Sequence, residues 1–231
     1  MTLLHYILVH TQYLALLIGL AIALPVVWGH RNKIGIKKPL SALGIGLFFL
    51  VASLFSAIVF AQIESKITGY PQRIGAISVL GEYLICPLIL LAFSKISGLR
   101  AKGLFDSFAI CGVLTLILMR INCIHAGCCQ GICLPGSEMR VPVREIEIAF
   151  YALMFIWFLY RERKGYVEGT FFPLLMMLYG ILRFILEWFR EVNTSSVFHL
   201  SHIWAIAAAV IGAGLYFGIR SRSKQNQPDE K

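Results

Sequence analysis

Apolar residues run through the chain in long blocks, separated by short stretches rich in Lys, Arg, Gly and Pro. Blocks near the roughly 20 residues that a bilayer-spanning helix needs fall at about 8–28, 40–62, 77–97, 104–121, 146–161, 169–189 and 200–219, the fifth being short. The pattern predicts an all-α, polytopic membrane helix bundle of about seven transmembrane helices. Met1 to Ile7 contains no Lys or Arg and the first block is long enough to span, so no cleaved signal peptide is expected. The longest polar interruption, about 122–145, contains Gly127, Gly131, Pro135, Gly136 and Pro142 and reads as a small head outside the membrane. Residues 1–218 are expected to form one membrane-embedded domain. Residues 219–231 form a polar tail without the apolar content to order itself.

Composition supports this reading. Of 231 residues 58% are hydrophobic and 14% charged, with a mean hydropathy of +0.76. A soluble domain carries roughly a quarter charged residues. The net charge of +9 raises the question of nucleic acid, but the basic residues are placed by topology instead. With the N-terminus outside, the inner segments collect Arg31, Lys33, Lys37, Lys38, Lys95, Arg100, Lys102, Arg161, Arg163, Lys164, Arg220, Arg222, Lys224 and Lys231. The outer half keeps the rest, so the positive-inside rule puts the N-terminus out and the C-terminus in. The basic excess then faces anionic lipid headgroups, and no nucleic-acid partner is expected.

The same topology brings three polar clusters to one membrane face. Arg120 ends the fourth block on the outer side. Arg140, Arg144, Glu145 and Glu147 stand at the outer start of the fifth. Tyr179, Arg183, Glu187 and Arg190 follow at spacings of four, four and three, which sets them on one face of the sixth. Arg183 and Glu187 are placed to pair, and an unpaired guanidinium in this setting is costly. The cluster is either an ion pair stapling helices or an anion site. Convergence from three separate segments favours an anion site, with arginines binding a phosphate through two parallel hydrogen bonds.

Six cysteines stand at positions 86, 111, 123, 128, 129 and 133. Cys86 and Cys111 lie inside apolar runs and read as packing residues. Cys123, Cys128, Cys129 and Cys133 share the head with His125, but their spacing lacks the paired Cys-x2-Cys of common zinc sites, and no metal or cofactor is expected. Disulfides are permitted outside, although vicinal Cys128 and Cys129 can bond each other only under strain. A catalytic thiol is equally open. His125 is the one histidine in the polar head. It reads either as a hydrogen-bonded structural residue or as a base whose ordinary titration range suits proton transfer near neutral pH. His5, His10, His30, His199 and His202 lie elsewhere. Gly127 and Gly131 permit close backbone approach beside a ligand.

Three motifs resemble the prolipoprotein diacylglyceryl transferase family, in particular its divergent members with a Gly-Cys-Cys-x-Gly segment. Arg120 through Gly131 resembles the family signature that opens on Arg and closes on Gly. Arg140-Val-Pro-Val-Arg-Glu-Ile-Glu147 resembles its Arg-His-Pro-x-Gln-Leu-Tyr-Glu segment. Tyr179 through Arg190 resembles Tyr-Gly-x-x-Arg-Phe-x-x-Glu-Phe-x-Arg and is the most specific match. The resemblance covers about residues 104–190 and implies transfer of diacylglyceryl from phosphatidylglycerol, or a related anionic phospholipid, to the lipobox cysteine of a precursor protein. It further implies a multi-pass protein of the plasma membrane, the bacterial inner membrane, with its site open to the outer leaflet. Carried over by match, Arg120, Tyr179, Arg183 and Glu187 are catalytic candidates together with His125. Arg120, Gly131, Arg140, Glu147, Arg183 and Arg190 are candidates for substrate binding. The departing glycerol phosphate needs positive charge, and the incoming thiol must lose a proton.

The departures are also specific. Cys123 stands where the signature has Asn. Leu80-Gly81-Glu82 replaces the family's His-Gly-Gly and loses its histidine, leaving His125 or Glu82 to take over as base. Val141, Arg144 and Ile146 replace His, Gln and Tyr in the second motif. Two other functions fit parts of the sequence: a membrane thiol–disulfide oxidoreductase built on the four head cysteines, and a non-catalytic lipid-binding relative.

Overall fold

A computed structural model describes residues 18–68, 78–125, 127, 129–133, 136–137, 139–191 and 200–225. The first part of the block predicted at 8–28 lies outside the described residues, as do Cys128, Pro135, His5, His10 and His199. The described residues form nine helices and no strand: α1 (Ile18–Gly29), α2 (Arg31–Ile34), α3 (Pro39–Thr68), α4 (Leu80–Leu84), α5 (Cys86–Ser97), α6 (Ala101–His125), α7 (Val143–Lys164), α8 (Phe171–Glu187) and α9 (Leu200–Gln225). Every apolar block contains helix. By length and composition α3, α6 and α9 suffice to cross a membrane, while α1 and α5 are shorter apolar helices. Large apolar side chains face outward all round, among them Leu40, Ile96, Leu153 and Phe217, each at least 60% exposed. Such a surface is stable against lipid and not against water. The molecule is an all-helical, multi-pass membrane protein.

Three boundaries differ from expectation, each for a physical reason. The third block is broken at Ile85. Pro87 has no N–H to donate one turn back, and its ring crowds the carbonyl of Tyr83, so the chain kinks and restarts as α5. α6 runs on to His125, so residues 122–125, expected in the head, are its last turn rather than part of a loop. α9 likewise continues to Gln225, which corrects the expectation that order ends near residue 218.

α8 lies most extensively on α9, and α6 on α7. Gly180 and Gly212 make the first contact close. A Cβ on Gly180 would sit 2.5 Å from the carbonyl oxygen of Ala205, and one on Gly212 2.5 Å from the amide nitrogen of Met177. Small residues at matched positions let two helix backbones touch, which is how membrane helices associate without a hydrophobic driving force. The buried Asp106 of α6 is explained by its partners. Its two carboxylate oxygens accept hydrogen bonds from the N–H groups of Gly169 (2.7 Å) and Phe171 (3.0 Å), capping the N-terminus of α8. At the same end of the bundle His30 is 1% exposed and joins Ser107 (2.7 Å) to Glu162 (2.5 Å), tying the α1–α2 turn to α6 and α7.

Candidate active site

The other end of the bundle gathers the arginines. Arg120, near the end of α6, meets Glu147, in the second turn of α7, side-on: Nε to Oε2 is 2.6 Å and Nη2 to Oε1 is 2.9 Å. Both are buried, Arg120 at 6% and Glu147 at 1% exposure, and the two parallel bonds hold the guanidinium plane in one orientation. The remaining nitrogen, Nη1, points at Cys123 Sγ, 3.9 Å away. Thus the position three residues after Arg120 supplies a thiol to this arginine.

On α8 the spacing of four does what it predicts. Arg183 Nη2 lies 2.9 Å from Glu187 Oε2, Arg190 Nη1 lies 3.4 Å from the same oxygen, and Ser201 of α9 donates to Oε1 at 2.9 Å. The Glu187 carboxylate is therefore shared by two guanidiniums and a hydroxyl. Arg183 Nε is buried and has no hydrogen-bond partner among the described residues. An N–H left in that state costs free energy until an acceptor arrives.

Between the two ion pairs stand three buried tyrosines, Tyr83 of α4, Tyr151 of α7 and Tyr179 of α8. The rings of Tyr83 and Tyr179 stack with centroids 4.3 Å apart. Arg120, Glu147 and Arg183 all act electrostatically on Tyr151 and Tyr179, and Arg120 acts on Tyr83. The three arginines set against Glu147 and Glu187 leave a positive excess in a low-dielectric site, where it attracts an anion far more strongly than it would in water.

The head lies across this cluster. Ile132 N–H donates to Phe189 O (2.9 Å), Val141 N–H to Ile132 O (3.0 Å), and Glu191 N–H to Gln130 O (3.0 Å). Residues 130–133 thus run between 140–141 and the end of α8, with antiparallel bridges from Gly131 to Arg190 and from Cys133 to Arg140. Gly131 is pressed against the carbonyl of Val141 so closely that any Cβ would collide with it. Arg140 is placed in the head rather than in the buried cluster. It bonds Glu191 (2.5 Å) and the carbonyl of Gly131 (3.2 Å), and the hydrogen bond to Glu191, with the charges of Cys133 and Glu191, raises its pKa above the ordinary arginine value. His125 is exposed at the end of α6 and makes no hydrogen bond or ion pair among the described residues. Glu82 is buried and accepts from Ser53 Oγ at 2.5 Å.

The prolipoprotein diacylglyceryl transferase model matches residues 4–218, nearly the whole chain and not only the three motifs. The chain belongs to the prolipoprotein diacylglyceryl transferase family. No curated protein matches it. As in the family, this transferase acts in membranes on a phospholipid donor and a lipoprotein precursor. Of the residues read from the motifs, Arg120, Glu147, Tyr179, Arg183, Glu187 and Arg190 come together, and Gly131 lies above them.

Sequence reasoning missed Tyr83, Tyr151, Ser201, His202 and Glu191. Tyr151 had a usable signal, since it stands four residues after Glu147 on the same helix face. Ser201 and His202 form a polar pair at the start of the last apolar block. The ring of His202 is 1% exposed, packed edge-on to Trp188 and Phe184 and acting electrostatically on Glu187. Tyr83 and Glu191 carried no local signal. Both matter only through partners far away in sequence.

Proposed function

We propose that the transferase moves diacylglyceryl from phosphatidylglycerol to the lipobox cysteine of a precursor protein at the outer face of the plasma membrane, in a seven-span chain with its N-terminus outside. The sulfur–carbon bond forms as the carbon–oxygen bond to the phosphate breaks. Glycerol phosphate leaves, and the thiol proton passes to a base. One observation carries this reading: the unpartnered Nε of Arg183, buried beside an excess of positive charge. A phosphate oxygen satisfies it and gains strength as charge develops on the leaving group.

In this reading Arg183 and the Nη1 side of Arg120, which faces Cys123, hold the phosphate, while Glu147 and Glu187 position the two guanidiniums. Tyr179 orients the lipid through the stack with Tyr83. Arg190 shares the Glu187 carboxylate, while Gly131 and Arg140 hold the head that receives the precursor. Two groups remain for the thiol proton: exposed His125 at the head side, and buried Glu82 at the helix break.

The test is release of labelled glycerol phosphate from headgroup-labelled phosphatidylglycerol by the purified protein in detergent, with a lipobox peptide. Arg183→Ala is expected to lower the rate by about 100-fold or more, with the fold retained but less stable because Glu187 loses one of its two guanidinium partners. Full activity in that variant overturns the assignment. Release that does not require the peptide cysteine makes the protein a hydrolase, and binding without release makes it a lipid-binding relative. His125→Ala and Glu82→Gln then separate the two bases, because loss of the true base lowers kcat and removes its limb from the pH profile.

A further inference from the structure

The basic end of the bundle, opposite the ion pairs, carries two adjoining cavities. One, of about 500 Å³, is an apolar groove between α5, α6, α8 and α9. Its far end is closed by Tyr83, and its walls include Leu88, Leu91 and Leu215, each between 41% and 67% exposed. The second, of about 590 Å³, carries the charged and hydrogen-bonding side chains of Lys102, Arg222, Ser223, Tyr166 and Glu168 beside Val167 and Ile219. Lys102 and Ile219 line both, so the charged cavity forms the mouth of the groove. Both volumes lie in the range of ligand sites, about 300–1,000 Å³.

The mouth is built rather than incidental. Gly169, at φ +89°, lets the stem of Lys102 lie across the loop before α8, and a Cβ there would sit 3.1 Å from Lys102 Cγ. Asp106 fixes that loop through the Gly169 and Phe171 amides. The extension of α9 to Gln225 brings Arg222 and Ser223 to the opposite rim. Among the described residues neither Lys102 nor Arg222 has a carboxylate partner, and two cations face the single carboxylate of Glu168.

We propose that this is a second lipid site, distinct from the reaction centre. An anionic phospholipid seats its phosphate on Lys102 and Arg222 and one acyl chain in the groove, without being consumed. A pocket with a net positive charge at the mouth of an apolar groove, in a helix bundle, matches a charged headgroup joined to a hydrocarbon tail. The tail reaches Tyr83, whose ring stacks on Tyr179 of the ion-pair cluster. The bound lipid therefore braces the wall of the reaction site.

Native mass spectrometry of the intact protein, titrated with phosphatidylserine and separately with phosphatidylcholine of the same chains, tests this. The wild type is expected to retain phosphatidylserine preferentially. Lys102→Ala with Arg222→Ala is expected to lower that affinity at least tenfold, and so is Leu215→Trp, which fills the groove without changing charge. Arg183→Ala is expected to leave it unchanged. Wild-type binding in the double alanine variant overturns the proposal. So does an unaffected Leu215→Trp variant in which glycerol phosphate competes, because the headgroup alone is then recognised. Loss in Arg183→Ala would place the bound lipid in the reaction site instead. Equal helix content and melting temperature in the Lys102, Arg222 and Leu215 variants show that binding, not folding, was altered.

Discussion

Arg120 and Glu147 sit on different helices, and each is costly to bury without the other. Removing one member of a buried pair leaves an uncompensated charge, at about 3–5 kcal/mol, whereas replacing both by apolar residues of similar size is often neutral. Glu147→Leu is accordingly expected to destabilise by about that amount, measured by denaturant unfolding in mixed micelles. Arg120→Met combined with Glu147→Leu is expected to recover most of the stability and none of the transfer. A double variant that retained activity would show the pair to be a staple. At this scale the site was partly legible. Arg183 and Glu187 share a helix face by spacing alone, and Arg120 stood out against its apolar run. The Arg120–Glu147 fork was not legible, because a local pattern says nothing about which of several arginines meets which of several carboxylates across a loop. The orphaned Nε of Arg183 is a property of packing, visible only once its neighbours are in place.

Helix contacts set where those residues stand. Gly180 and Gly212 allow α8 and α9 to touch, and Ser201 of α9 reaches Glu187 only at that separation. Gly180→Val is expected to cost about 1–3 kcal/mol by overpacking and to weaken transfer through the lost serine bond. Comparison of its melting temperature and kcat with those of Ser201→Ala checks both parts. Gly131→Ala moves the Val141 carbonyl and with it the head. It is expected to lower kcat/KM for the peptide about 10–100-fold while the melting temperature holds. Helix existence was legible from the apolar blocks. Helix ends were not: Pro87 could be read in advance as a kink, but the helical turn past Gly218 needed the loop before α8 to pack beside it.

For the whole molecule the prediction concerns orientation. A phosphatase reporter that needs disulfides, inserted between Gly136 and Ser137, is expected to be active, and the same reporter fused after Lys231 inactive. The reverse pattern would invert the bundle and move the arginine cluster to the inner leaflet. Hydropathy and charge placement made the class of molecule legible, and the motifs made the family legible. The lipid groove at the basic end was hidden, since its walls come from α5, α6, α8 and α9 and no single segment describes it. The fork between α6 and α7 also bears on how the chain is made. A lone buried arginine or carboxylate costs free energy on insertion, so the two segments gain by leaving the translocation machinery as a hairpin, already neutralised. The Glu187 carboxylate acquires Ser201, and the head acquires its anchor on Phe189 and Glu191, only after the later segments have been synthesised. During biogenesis the nascent protein is therefore anchored early and competent late, and a ribosome stalled before α9 would leave in the membrane an anchored but inert precursor of the transferase.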